Sequence, residues 1–169
     1  MSQVSSLSRM KHVLFVCTGN SCRSVMAQGL LQHRLRQLAS RLREPIEVSS
    51  AGVFAIEGMS PTKDTLAMLQ REGEDFSSHM SRMLTDEMIR RTDLVVVMER
   101  FHRDEILRRV PEAKTKVTLL KSLGRSAEPE GPEVDVPDPI GKPREVYEAC
   151  FETIRQGVEQ LINQLVASS

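Results

Sequence analysis

Cys17-Thr18-Gly19-Asn20-Ser21-Cys22-Arg23-Ser24 separates an apolar run, Lys11-His12-Val13-Leu14-Phe15-Val16, from a segment of helical periodicity. Residues 11–16 are predicted as a short buried strand and residues 24–40 as a helix, with Met26, Leu30, Leu31, Leu35 and Leu38 at helical spacing. A loop between a strand end and a helix start turns several backbone N–H groups towards one point, with the helix dipole behind them. That arrangement suits a tetrahedral anion such as phosphate. The same donors stabilise a thiolate placed at the centre. Arg23 follows Cys17 after five intervening residues and brings a planar fork of donors for two anion oxygens. One loop thus holds a nucleophile and an anion cradle, and cysteine-dependent hydrolysis of a phosphate ester uses every part of it.

Within the loop, Gly19 is expected to supply a backbone conformation closed to residues with a Cβ, and Asn20 to tolerate the left-handed region and brace the turn. Thr18, Ser21 and Cys22 complete the run of inward N–H groups. Ser24 is expected as the helix N-cap, and its hydroxyl can also donate to the Cys17 thiolate. Breakdown of a monoester needs an acid for the leaving group. Asp138, in Asp138-Pro139 just before the last predicted helix, is the candidate, with Asp135 the nearby alternative. An Asx turn is the plain structural alternative for Asp138.

The rest of the chain alternates strand and helix. Strands are predicted at Ile46–Ser50, closed by Ala51-Gly52, at Leu94–Met98 and at residues 117–120. Helices are predicted from Pro61 at the first helical position to about Arg71, from a Thr85 cap, over residues 100–109 and over residues 144–166. This order implies an α/β fold in three layers, a parallel sheet with helices on both faces and the phosphate-binding loop after the first strand. Residues 1–10 are expected to be a polar tail and residues 11–166 one domain. The stretch 122–143 is expected to be a loop, and its part 122–137, with Glu128, Glu130, Glu133 and Asp135, a mobile flap that carries Asp138.

Composition narrows the function classes. Lys+Arg and Asp+Glu balance at 23 each, so no net field favours nucleic acid. No apolar run approaches a membrane span and the N-terminus has no signal-peptide core, so no membrane partner is expected. Three cysteines, two of them in the loop, are no disulfide framework, which fits a reducing cytoplasm. No cysteine or histidine cluster has metal-ligand spacing, and no cofactor is called for. Cys22 is open to two readings, a partner that traps oxidised Cys17 as a disulfide or a small side chain packed under the loop.

These motifs together resemble the low-molecular-weight protein tyrosine phosphatases. The Val16–Ser24 loop, Ser50-Ala51-Gly52, Asp93-Leu94-Val95 and Asp138-Pro139 carry the resemblance over residues 11–165. It implies a four-stranded parallel sheet, phosphorylated proteins as substrates, no metal, and a phosphocysteine intermediate. Asp138 would protonate the leaving group and then activate water, while Ser50 and His79 support the loop. Family members directed at phosphotyrosine usually carry a bulky aliphatic residue where Ser21 stands, and aromatics where Ile140-Gly141 follow Asp138-Pro139. With one tyrosine and no tryptophan, an aromatic-walled slot is hard to build. Ser21 and the run Ser50–Ala55 resemble the protein-arginine phosphatase branch, so phosphoarginine is the expected substrate and phosphotyrosine the alternative. The loop also resembles that of thioredoxin-coupled arsenate reductases, but Met98–Val110 lacks the two further cysteines which that chemistry uses. A non-catalytic phosphate-binding module is the third reading.

Overall fold

The computed structural model describes residues 10–126 and 131–168. Four strands, β1 (His12–Cys17), β2 (Glu47–Gly52), β3 (Leu94–Val97) and β4 (Val117–Leu119), form one sheet in the order β2-β1-β3-β4. Every pairing is parallel. Five helices accompany them: α1 (Arg23–Gln37), α2 (Lys63–Arg71), α3 (Asp86–Arg91), α4 (Arg100–Arg109) and α5 (Arg144–Ala167).

Alternation along β1 decides the layers. Val13, Phe15 and Cys17 face a core shared with α1, α2 and α5, including Met26, Leu30, Met68, Ile154 and Leu161. Leu14 and Val16 face a second core with Ile89 of α3 and Ile106 of α4. Because β1 is covered on both faces, its residues from Val13 to Cys17 are apolar at every position rather than at every second one. The chain passes from β1 out to β2 and returns on the other side to β3, so the sheet reverses direction beside β1. A crevice opens at the carboxyl ends of strands at such a point. Cys17, paired with Gly52, ends β1 there.

The elements fall where periodicity placed them, with local differences. α2 begins at Lys63 and is capped by Thr62, whose hydroxyl accepts from the Thr65 N–H, so Pro61 precedes the cap instead of opening the helix. The Ala51-Gly52 pair expected to close β2 belongs to it, since both residues stay in register with β1. β4 stops at Leu119 and runs into a 3-10 turn, Leu120–Ser122. Met10, within the segment expected to be a tail, is buried in the core; residues 1–9 lie outside the described residues.

The expected flap is held down where it is described. Glu128 and Glu130 lie outside the described residues. Beyond them, Pro132–Val134 form a 3-10 turn, and Val134 and Val136 are fully buried. Lys121 Nζ donates to the carbonyls of Glu133 and Asp135, and the Val136 N–H donates to the Met98 carbonyl. Acidic composition suggested a solvated strap, but the two buried valines anchor it.

α5 crosses the Leu120 turn at Gly157, where an added Cβ would stand 2.5 Å from Leu120 Cγ. Gly157→Ala should lower stability by about 1–3 kcal/mol through overpacking, outweighing a helix-propensity gain of about 1 kcal/mol. A urea midpoint at or above that of the parent would show that α5 can shift away without cost.

Candidate active site

Asn20 organises the phosphate loop. It is fully buried with φ 54, the one non-glycine residue in the left-handed region among the described residues. Its Oδ1 accepts the backbone N–H of Arg82 at 3.0 Å. A backbone N–H can only donate, so the amide orientation is decided. Oδ1 also faces His79 Nε2 at 3.3 Å, which must then carry the proton. The Asn20 amide nitrogen donates to Ser24 Oγ and Ser50 Oγ, both at 2.9 Å. Ser50 in turn donates to Gln28 Oε1 at 2.6 Å.

The consequence reaches Cys17. Ser24 Oγ lies 2.9 Å from Cys17 Sγ. It accepts from Asn20 and keeps its own hydrogen, which it gives to Cys17 when the sulfur is a thiolate with no proton of its own. Ser24 is therefore a donor to the nucleophile and not the helix cap. The cap position of α1 is Cys22, which makes no side-chain capping bond, so the first-turn N–H groups are left to the loop. Gly19 has no positive φ, and a Cβ there would meet Ser21 Oγ at an ordinary 3.7 Å. The left-handed step expected of the Gly19-Asn20 pair falls on Asn20 alone. Gly52 is the glycine whose lack of a side chain matters: a Cβ would press on the Thr18 carbonyl and stand 2.9 Å from Asn20 N.

Arg23 is 1% exposed. Its Nη1 donates to Glu99 Oε2 and to the Val136 carbonyl, both at 2.7 Å, and Nη2 donates to Thr18 Oγ1 at 3.3 Å. Three of five N–H groups are thereby engaged, which leaves Nε–H and one Nη2–H along one edge of the guanidinium. Two N–H groups along one edge can grip two oxygens of a tetrahedral anion. Burial opposes its charge, yet Cys17, Glu99 and Asp138 together hold its pKa above the usual arginine value.

Two residues that no local pattern singled out complete the cradle. The Glu99 N–H donates to His102 Nδ1 at 3.0 Å, so His102 carries its proton on Nε2 and gives it to Thr18 Oγ1 at 2.9 Å. Burial, with Arg23 nearby, pushes His102 down to about 3. His79 is also lowered, by burial and then by Arg82.

Asp138 sits at the mouth, its side chain 40% exposed and Oδ2 3.6 Å from Arg23 Nη2. Oδ1 accepts the Ile140 N–H at 3.1 Å, so the Asx turn and a place beside Arg23 hold together. Asp135, the alternative acid, is tied to Arg100 through Nε, Nη2 and the backbone N–H. Those bonds hold its pKa below the usual range despite burial, so it stays ionised and turned away. Cys22 Sγ meets Thr62 Oγ1 at 3.5 Å and Tyr147 Oη at 3.7 Å. Cys150 is core, its thiol pushed up to about 12 by burial. Ser21 stands half-buried at the loop's outer turn, its carbonyl accepting the Thr62 N–H. An aromatic wall, expected to be hard to build with one tyrosine and no tryptophan, is supplied by phenylalanines: Phe54 and Phe101, both exposed, lie with ring centroids 5.7 Å apart.

A family model, low molecular weight phosphotyrosine protein phosphatase, matches residues 12–169. The chain belongs to this family. It is therefore a hydrolase, a phosphatase of phosphorylated proteins. It is 38% identical to a protein-arginine-phosphatase from Geobacillus stearothermophilus over 90% of this chain and 95% of that one. It is 34% identical to a probable low molecular weight protein-tyrosine-phosphatase, EpsP, from Ralstonia nicotianae, over 93% and 97%. The solved low molecular weight protein tyrosine phosphatase from T. tengcongensis superposes with a TM-score of 0.80 at 36% identity, covering 92% of this chain and 99% of that one.

His102 yields a pH signature. An unfolded histidine takes its proton near 6.5, but the folded one does so only at about 3. The unfolded chain thus binds more protons throughout that window. Stability from this group is complete above pH 6.5 and declines as pH falls, by up to about 1.4 kcal/mol per unit. His102→Gln, which keeps a donor for Thr18, should flatten the slope between pH 6.5 and 4.5 by up to one proton. Denaturant melts at a series of pH values measure this, and an unchanged slope would mean that His102 titrates normally.

Proposed function

We propose that the protein removes phosphoryl groups from protein side chains through a phosphocysteine, with phosphoarginine as the preferred substrate. The observation that carries the chemistry is the Ser24 hydroxyl aimed at Cys17 Sγ beside the open edge of Arg23. Cys17 attacks phosphorus and forms the S–P bond as the bond from phosphorus to the leaving group breaks. Asp138 gives its proton to the leaving nitrogen. Water, deprotonated by the same carboxylate, then attacks phosphorus, and the S–P bond breaks to return the thiolate. Throughout, the edge of Arg23 and the loop N–H groups hold the equatorial oxygens, where charge spreads in the transition state. Ser24 stabilises the thiolate as attacking and leaving group. Ser50 and His79 act through Asn20, holding the loop in shape.

Two observations support phosphoarginine. Ser21 adds little bulk at the loop's outer turn, and the relative at 38% identity bears the name protein-arginine-phosphatase. The Phe54–Phe101 pair favours a second reading, phosphotyrosine, because aromatic faces at the mouth suit a phenyl ring. A guanidinium is also planar and stacks on aromatic rings, so the pair serves either substrate. Three free thiols fit a reducing compartment, and we place the protein in the cytoplasm on that ground.

The deciding measurement is phosphate release from a phosphoarginine protein and a phosphotyrosine peptide, with Cys17→Ser as the blank. The ratio of kcat/KM should favour phosphoarginine, and Ser21→Ile should shift it at least about tenfold towards phosphotyrosine, a change of roughly 1.4 kcal/mol. A parent enzyme that prefers phosphotyrosine would overturn the substrate assignment and leave the mechanism standing.

Peroxide offers a separate test. It oxidises the Cys17 thiolate to a sulfenic acid, and attack by the Cys22 thiol expels water and forms a disulfide that thiols reduce. Activity lost to peroxide should return with dithiothreitol in the parent and not in Cys22→Ser. Equal recovery in both would assign Cys22 to packing alone.

A further inference from the structure

The apolar surface is gathered at one place. Phe54, Ile56 and Met59 are exposed on the segment after β2, and Met80 and Met83 on the segment before α3. Those two segments are zipped together: the Gly58 N–H donates to the Ser81 carbonyl, the Ser81 N–H to the Met59 carbonyl, and Ser81 Oγ to the Ile56 carbonyl. Phe101 of α4 meets Phe54. The other large apolar side chains exposed among the described residues, Ile140 and Val146, flank Asp138 and Tyr147.

Each of these lies within three residues of a group that touches the active-site loop. Phe54 N–H donates to the Thr18 carbonyl. His79 and Arg82, next to Met80 and Met83, hold Asn20. Met59 precedes Thr62, whose N–H donates to the Ser21 carbonyl. His102, next to Phe101, donates to Thr18, while Asp138 and Tyr147 face Arg23 and Cys22. Elsewhere among the described residues no large apolar side chain is exposed, so this concentration is not the scattered exposure common on protein surfaces.

We infer that the apolar collar is the docking surface for the phosphorylated protein itself, taking apolar side chains on either side of the phosphorylated residue. Its continuity with the catalytic mouth selects this occupant, because the 54–59 and 80–83 segments and the Asp138 turn are bonded to, or adjoin residues bonded to, the loop that holds Cys17. The phosphoryl group takes the loop and the reacting side chain takes the Phe54–Phe101 pair. The flanks of the segment are left with the rest of the collar. Their recognition is carried by Ile56 and the adaptable methionines, which accept varied apolar flanks and disfavour charged ones. The inference rests on catalysis at Cys17 and not on the choice of phosphoarginine.

The test compares three substrates on the parent and on an Ile56→Ser, Met80→Ser double variant. They are a phosphopeptide with Leu and Val flanks, the same peptide with Glu and Ser flanks, and para-nitrophenyl phosphate. The last has no flanks, so its turnover reports on the Cys17 chemistry alone. The parent should prefer the apolar peptide by about tenfold in kcat/KM. The double variant should lose most of that preference through KM, with para-nitrophenyl phosphate turnover unchanged within about twofold. A parent indifferent to flanks, or one that prefers the acidic peptide, would overturn the inference. So would equal losses on all three substrates. Sedimentation at rising concentration supplies the remaining arm: a dimer that the double variant dissociates, with flank preference intact, would assign the collar to a second copy of this chain.

Discussion

One side-chain amide holds the site together. Asn20 stands in a left-handed conformation that costs an ordinary residue about 1 kcal/mol or more, and its carboxamide makes four hydrogen bonds that offset the cost. Those bonds reach α1, β2 and the segment before α3. Because a backbone N–H orients the amide, the hydrogen-bond direction is settled from Arg82 through Asn20 to Ser24, whose own hydrogen is then available to a Cys17 thiolate. The nucleophile's donor is thus set by a residue far along the chain, through a fixed order of donors and acceptors.

Arg23 is the second constraint. A guanidinium that is almost wholly buried loses its hydration, and the loss is tolerable only where partners replace it. Glu99 supplies a charge and the Val136 and Thr18 oxygens supply hydrogen bonds. These bonds use both Nη1–H groups and one Nη2–H, which leaves Nε–H and the other Nη2–H for a ligand. The Val136 carbonyl also ties the Asp138 segment to Arg23, which couples the position of the general-acid candidate to that of the anion grip. The buried valines on either side of Asp135 explain why this segment is seated and not a free strap.

The two faces of the molecule carry different chemistry. Away from the mouth, charged residues pair across the surface, as in Arg34 with Glu159 and Arg109 with Asp86. Such exposed pairs contribute little stability each, roughly 0–1 kcal/mol, and keep the surface wet. Around the mouth the collar of phenylalanines and methionines replaces them. Burial of these side chains is deferred until something covers the site.

The layer order and the centre of the site were legible along the chain, because both are written in local pattern. An apolar run over Val13–Cys17, a loop of eight residues and the helical periodicity after it need no distant partner to be recognised, and Cys17 and Arg23 fall within that loop. Ser24 was legible as a polar residue at a helix start and misleading as a cap, since caps and thiolate donors share one residue type. Phe54 and Phe101 gave no sign of meeting, since they stand on separate segments of the chain. Gln28, Arg82, Glu99 and His102 had no signal, because each acts through a hydrogen bond to a residue far away in the chain or on another element. The local sequence determined which candidate groups share one loop, as backbone conformation and side-chain type are properties of neighbours in the chain. The tertiary structure decided which way each proton points and which edge of Arg23 is open, because hydrogen-bond direction depends on partners that only the folded sheet and helices bring within 3 Å.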